Sequence, residues 1–137
     1  MIHRVTHDVT FGDCDPAGIV FYPNIYRWLD RTFHDWLRRY GGHAALCRSL
    51  GFAGIGLREA SARFLRPLRD GDRLTVALET VEWSDKGLGL GYAGRLGEAL
   101  HFTAREERAV FVATSTGIRA GDTLPLKQVI EAHGATR

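Results

Sequence analysis

The sequence is poor in cysteine, methionine and proline, with two, one and four of them among 137 residues, and it has no long apolar run. Because the amino terminus shows no basic-then-apolar secretion signal, Cys14 and Cys47 are expected to remain free thiols. No apolar segment approaches the roughly 20 residues that cross a bilayer. We therefore expect a cytoplasmic protein that has no membrane partner.

The chain has no excess of charge of either sign, since 18 basic and 16 acidic residues give a formal net charge of +2. Domains that bind nucleic acids usually carry a strongly basic surface, so we expect no nucleic-acid partner. Apolar residues make up 45% and charged residues 25% of the chain, which is an ordinary balance for a globular protein. At this length we expect one domain, spanning residues 1–137, with a core of its own.

Metal-binding and nucleophile motifs are also missing. His3 and His7 fall on the same side of a predicted strand, but no third ligand accompanies them. No serine lies in a nucleophile-elbow sequence. Cys14 lies between Asp13 and Asp15, whose negative charges disfavour a thiolate. We therefore expect no metal site, and a packing role for Cys14.

A strand and a long helix are predicted in the first third of the chain. Residues alternate in polarity from His3 to Phe11, as in a strand. Asn24 is the predicted cap of the following helix, with Pro23 beside it, and Gly41–Gly42 is the predicted end. Apolar residues recur in this helix at steps of three and four, which predicts a buried stripe: Ile25, Trp28, Leu29, Phe33, Trp36, Leu37 and Tyr40.

The rest of the chain is predicted to be mostly β-structure. A short helix over 43–50 and an extended run from about 57 to 65 precede three strands, and a short helix spans 125–133. The strands are predicted at 73–83, 87–96 and 100–114. This order predicts an α+β domain in which an antiparallel sheet curls over a buried helix. The glycines of the 87–97 segment indicate either a twisted, flexible strand or the close approach of a ligand or partner strand.

The segment from Phe11 to Asn24 places Asp15 in a tight turn just ahead of the long helix. Unpaired N–H groups and the positive end of the dipole make a helix start electropositive, so it can hold a carbonyl oxygen that gains charge. A carboxylate nearby could attack the carbonyl carbon or activate a water, and this combination indicates acyl transfer. The alternative is that Asp13 and Asp15 only shape a polar turn.

The same segment, continued through Asp30, resembles the signature of the hot-dog-fold thioesterases of the 4-hydroxybenzoyl-coenzyme A thioesterase type. A weaker resemblance extends over 64–76 and 82–83. It implies a hot-dog fold, in which a curled antiparallel sheet wraps a long central helix, and a homodimer or homotetramer. It also implies hydrolysis of an aromatic acyl-CoA thioester without a metal or redox cofactor, coenzyme A being part of the substrate.

Position by position, the resemblance places the family's catalytic carboxylate on Asp15, either as nucleophile or as general base. Tyr22 matches the residue whose backbone N–H polarises the thioester carbonyl, so Asp15 and Tyr22 are expected to converge on the bound ester. An N–H donor aimed at a developing oxyanion lowers a barrier by about 3 kcal/mol. Gly18 would let the turn approach the substrate, or is required only by its backbone angles.

Two further residues are expected to bind substrate. Asp30 matches the residue associated with the phenol hydroxyl of the acyl group, although it could instead pair with Arg27 or His34 along the helix. Lys86 is the one basic residue left in 84–86, where the family tends to carry a basic cluster for the coenzyme A phosphates. Three arginines could replace those contacts or be plain surface: Arg63, Arg66 and Arg69.

Two other functions fit the same residues. The first is a thioesterase for short or branched aliphatic acyl-CoA, or for an acyl-carrier-protein thioester, with Asp30 paired on the surface. The second is a hot-dog domain that binds an acyl thioester without cleaving it. Hydrolysis of a panel of aromatic and aliphatic thioesters distinguishes the first alternative from an aromatic thioesterase. The second alternative requires that the native protein cleave no thioester faster than an Asp15→Asn variant does.

Overall fold

A computed structural model describes residues 1–135 of the chain. Its elements, in order, are β1 (His3–Asp8), a 3-10 turn (Phe11–Asp13), α1 (Pro23–Arg38), α2 (His43–Leu50), β2 (Gly54–Phe64), β3 (Arg73–Ser84), β4 (Gly87–Leu96), β5 (Ala99–Thr114), β6 (Gly117–Ala120) and α3 (Leu124–Ala135). The predicted α+β order is confirmed. The sequence did not predict β6, and Phe11 lies exposed in the 3-10 turn rather than in the first strand.

The six strands form one sheet in which hydrogen-bonded neighbours are antiparallel. The strand order is β1-β3-β4-β5-β2, and β6 pairs with the end of β5. Register shifts interrupt β2 between Leu57 and Glu59 and β3 between Leu78 and Thr80. Because such irregularities increase local twist, they help the sheet curl around α1.

Helix α1 packs its apolar stripe against the concave face of the sheet. Leu29, Phe33 and Leu37 are completely buried. The stripe predicted from the sequence is confirmed except for Tyr40, which follows the helix and is half-buried. A fully buried side chain of this size contributes on the order of 2 kcal/mol. Burial of this stripe fixes the position of the amino-terminal end of α1.

The start of α1 differs from the prediction. Tyr22, and not Asn24, is the N-cap residue. Pro23 occupies the first helical position, where a backbone N–H would have no acceptor within the helix, so proline loses no hydrogen bond there. Asn24 instead donates a side-chain hydrogen bond of 2.8 Å to the backbone oxygen of Asp13. At the other end the helix stops at Arg38, and Gly42, with a φ of 92°, donates back to the Leu37 carbonyl.

Two glycines of β4 lie where side chains of the neighbouring strands come very close to the backbone. A Cβ at Gly94 would lie 2.0 Å from the ring of Phe102, and one at Gly91 would lie 2.3 Å from the hydroxyl of Thr80. This geometry accounts for two of the glycines without a ligand or partner strand. Cys14 and Cys47 are free thiols, as predicted.

Within residues 1–135, no helix is both long enough and apolar enough to cross a membrane.

Replacing Gly94 by Ala should destabilise the fold, because the added methyl group would overlap the buried ring of Phe102. Overpacking of this kind costs about 1–3 kcal/mol. The matched control is Gly54→Ala on β2, where a Cβ meets no atom within 4 Å. Urea unfolding of both variants measures the difference. Equal free energies of unfolding for the two variants would contradict this packing.

Candidate active site

The turn that carries Asp15 is closed by its own hydrogen bonds. The backbone N–H of Asp15 donates to Ile19, and that of Gly18 donates back to the Asp15 carbonyl, both at 2.9 Å. The N–H of Ala17 donates to Oδ1 of Asp15, also at 2.9 Å. Gly18 has a φ of 80°, which a residue with a side chain rarely adopts. Within residues 1–135, Oδ2 of Asp15 has no such partner.

This turn is fastened to the start of α1. The carbonyl of Asp13 accepts the N–H of Phe21 at 2.9 Å and the side-chain amide of Asn24 at 2.8 Å. Its carboxylate accepts the backbone N–H and the hydroxyl of Thr10, and it pairs with Arg27 at 3.3 Å. Residues 13–21 therefore form a small hairpin that is tied at its open end to the first turn of the helix.

The backbone N–H of Tyr22 is the donor that the sequence predicts for the thioester carbonyl. The carbonyl of Tyr22 accepts the N–H of Ile25 at 3.0 Å, as expected for a cap residue. Its own N–H donates to no acceptor in the part of the chain that the structure describes. Such a donor at the positive end of a helix dipole can bind an oxygen that gains negative charge.

The single chain does not bring Asp15 and Tyr22 into one cavity. Asp15 and Gly18 line a depression of about 300 Å³, together with Phe11, Cys14, Pro16 and Asp70. Tyr22 lines a smaller one of about 110 Å³, with Ile19, Val20, Ile25, Phe64, Arg66, Pro67 and Leu68. Because Gly18 lines the first depression and Ile19 the second, the two depressions are adjacent along the chain. Their convergence on one ester stays a prediction.

Asp30 lies on the exposed edge of α1 and is held by an unforeseen partner. Its Oδ1 accepts a hydrogen bond of 2.9 Å from Nη2 of Arg108 on β5 and lies 3.5 Å from Nε2 of His34. The alternative pairing with His34 is thus observed, whereas Arg27 pairs with Asp13. Burial lowers the pKa of His34, and the charge of Asp30 opposes that shift.

Arg108 belongs to a buried cluster that the sequence analysis missed. Its guanidinium binds the carboxylate of Glu106, which also accepts the hydroxyl of Tyr92 at 2.7 Å. Burial opposes the charge of Arg108, but bonding to Glu106 and Asp30 outweighs it and raises the pKa. Burial, followed by the charge of Glu106, raises the pKa of Tyr92, so its hydroxyl remains a donor. Alternate residues of a strand lie on the same face of a sheet, so the sequence places Glu106 and Arg108 on the face that also carries Phe102. This pattern could have revealed the cluster.

Lys86 lies in a groove of about 500 Å³ between the β3–β4 turn and the start of α3. Lys127 lines the same groove, and the sequence analysis missed this second cation. The other lining residues are Trp83, Ser84, Asp85, Asp122, Thr123 and Leu124. Two ammonium groups and an indole could bind a phosphorylated nucleotide, although Asp85 and Asp122 reduce the net positive charge.

The sequence pattern of the thioesterase-like superfamily matches residues 9–132, which is most of the chain. The chain belongs to this superfamily. The expected family membership is thereby confirmed, and so is the hot-dog fold.

Curated proteins resemble the chain over part of their length. It is 34% identical over 80 residues to the 4-hydroxybenzoyl-CoA thioesterase of Pseudomonas sp. strain CBS-3, covering 57% of each chain. It is 35% identical over 71 residues to the 1,4-dihydroxy-2-naphthoyl-CoA hydrolase of Thermosynechococcus vestitus strain NIES-2133 / IAM M-273 / BP-1, covering 52% of this chain and 49% of that one. The matches therefore span about half of the length of these curated relatives.

The fold is similar to that of a solved thioesterase over nearly the whole chain. The crystal structure of an aspartate-to-asparagine mutant of 4-hydroxybenzoyl-CoA thioesterase, complexed with 4-hydroxybenzoyl-CoA, superimposes with a TM-score of 0.80. The two sequences are 26% identical, and the superposition covers 93% of this chain and 95% of that one. The likeness extends well beyond the segment around Asp15.

Replacing Asn24 by Ala should loosen the hairpin that carries Asp15, because the side-chain bond to the Asp13 carbonyl is lost. We expect a loss of about 1 kcal/mol in the free energy of unfolding. Amide hydrogen exchange at Phe21, whose N–H donates to the same carbonyl, should become faster. Gln128→Ala, on the exposed face of α3, is the control. Unchanged exchange at Phe21 would show that Asn24 does not fasten the hairpin.

Proposed function

We propose that the chain is an acyl-CoA thioesterase that hydrolyses the thioester of a hydroxylated aromatic acyl-CoA. The observation that carries the proposal is the turn of Asp15, fastened to a helix start whose Tyr22 N–H has no acceptor among residues 1–135. Membership of the thioesterase-like superfamily supports it.

In the proposed reaction the N–H of Tyr22 donates to the carbonyl oxygen of the thioester. Oδ2 of Asp15 attacks the carbonyl carbon, the carbon–sulfur bond breaks, and coenzyme A leaves as the thiolate, which takes a proton from water. The mixed anhydride that forms is then hydrolysed to the free acid, which restores the carboxylate of Asp15. Alternatively, Asp15 removes a proton from a water that attacks directly. Both routes use the same two groups.

A second copy of the chain would complete the site. Phe11, which lines the depression of Asp15, is 82% exposed, and Tyr22, which lines the other depression, is 57% exposed. Large apolar side chains grouped on a surface are typical of protein interfaces. We infer that a homodimer or homotetramer covers this surface and joins the two depressions into one acyl site.

The acyl group is inferred from Asp30 and from the relatives. The names of both curated relatives given above include a hydroxylated aromatic acyl-CoA. Asp30 presents a half-exposed carboxylate on the helix whose N-cap residue is Tyr22. A hydroxyl on the acyl ring could donate to that carboxylate and compensate for its loss of water.

Replacing Asp15 by Asn should reduce kcat by about a thousandfold while KM changes little, because the amide is neither a nucleophile nor a base. The measurement is steady-state hydrolysis of 4-hydroxybenzoyl-CoA. Asp8→Asn, which neutralises an exposed carboxylate on β1, is the control and should keep full activity. Comparable turnover by the Asp15→Asn variant and the native protein would rule out the proposed role of Asp15.

Replacing Lys86 by Gln should raise KM about fivefold for an acyl-CoA and leave kcat unchanged, since an exposed ion pair contributes about 1 kcal/mol. The same acyl group on N-acetylcysteamine, which lacks the nucleotide, is the internal control and should show no change. A KM that rises equally for both thioesters would mean that Lys86 does not contact the phosphates.

A further inference from the structure

Strand β5 carries two charged residues at positions that face the core. Alternate side chains of this strand are buried, and they are Phe102, Ala104, Glu106, Arg108 and Val110. Glu106 and Arg108 are each only 2% exposed. A buried ion pair is often no more stabilising than apolar side chains of the same volume. Stabilisation of the fold therefore does little to explain why an ion pair is buried here.

The guanidinium of Arg108 is fixed from several sides. Nε and Nη2 each donate to the Glu106 carboxylate at 3.0 Å. Cζ lies 4.0 Å from the centre of the Phe33 ring, in a cation–π contact. The hydroxyl of Tyr92 donates to Glu106 at 2.7 Å and so fixes the carboxylate itself. Arg108 is thus held in place by groups other than Asp30.

Asp30 contacts this cluster through only one of its two carboxylate oxygens. Nη2 of Arg108 donates to Oδ1 at 2.9 Å, and the nearby His34 lies closest to the same atom. Oδ2 has no hydrogen-bond partner among the residues that the structure describes, and the side chain is 54% exposed. One carboxylate oxygen is used to anchor Asp30, and the other is available to a ligand.

The charges limit the groups that Oδ2 can bind to those that donate a hydrogen bond. Asp30 and Glu106 each carry one negative charge and Arg108 one positive charge, so the cluster keeps one negative charge. Burial lowers the pKa of His34, which is therefore uncharged at neutral pH. A neutral hydroxyl that donates a hydrogen bond suits this oxygen, whereas a carboxylate on the ligand would be repelled.

We propose that Arg108 is a positioning residue that selects hydroxylated acyl groups, by holding Oδ1 of Asp30 so that Oδ2 accepts a hydroxyl of the acyl group. The inference rests on the proposed function of this site. Asp30 follows Tyr22 by eight residues, about 12 Å along a helix axis. An aryl acyl group with a hydrogen bond at each end spans a comparable distance.

The test uses the double variant Glu106→Gln/Arg108→Met. Removing only one partner would leave a buried charge unpaired and endanger folding, whereas exchanging both keeps the volume and removes the charges. The matched control is Glu107→Gln/Arg105→Met, the same two changes at the same spacing on the opposite, exposed face of β5. Thermal unfolding of each variant confirms that it folds.

Binding is measured by calorimetry with two thioethers that cannot be hydrolysed, 4-hydroxyphenacyl-CoA and phenacyl-CoA. The native protein and the control variant should bind the hydroxylated compound about 10- to 100-fold more tightly, the range expected for a hydrogen bond to a charged group. The Glu106→Gln/Arg108→Met variant should bind both compounds within about threefold of each other, with its affinity for phenacyl-CoA unchanged.

The inference is overturned if the native protein shows no preference, binds neither thioether, or keeps its preference in the folded double variant. Hydrolysis of 4-hydroxybenzoyl-CoA is measured in parallel and tests the proposed function separately. If the native protein prefers the hydroxylated thioether, the folded double variant loses that preference, and no thioester is cleaved, the proposed function is refuted and the role of Arg108 is upheld.

Discussion

Burial of α1 beneath the curled sheet is the constraint on which the whole candidate site depends. Leu29, Phe33 and Leu37 are completely enclosed, so the helix cannot shift along its axis without opening the core. Its first residues are thereby placed at a fixed point of the surface. The hairpin of Asp15 is fastened to that point through Asn24, and Asp30 lies two turns further along the same helix.

The sheet serves the site as well as the core. Apolar side chains of β3, β4 and β5 form one core with those of α1, and β5 interrupts its apolar row with Glu106 and with Arg108, which binds Asp30. A charge pair at this depth adds little stability over apolar side chains, yet it gives Asp30 a fixed orientation. Local rules are commonly broken at functional sites, and this break lies under a predicted substrate contact.

Periodicity predicted most of the fold because each strong pattern has one physical solution. The stripe of α1 has to be buried, and alternating strands joined by short turns form an antiparallel sheet. Asn24 was assigned wrongly because capping residues are recognised by type, whereas its partner, the Asp13 carbonyl, is set by the path of the hairpin. The partner of Asp30 could not be predicted along the helix, since Arg108 comes from a strand 78 residues later.

The most direct test is a crystal structure of the Asp15→Asn variant with 4-hydroxybenzoyl-CoA bound. We expect the thioester carbonyl oxygen to lie about 2.9 Å from the N–H nitrogen of Tyr22, with the residue-15 side chain against the carbonyl carbon. A thioester bound in either depression alone, out of reach of the other group, would contradict the account.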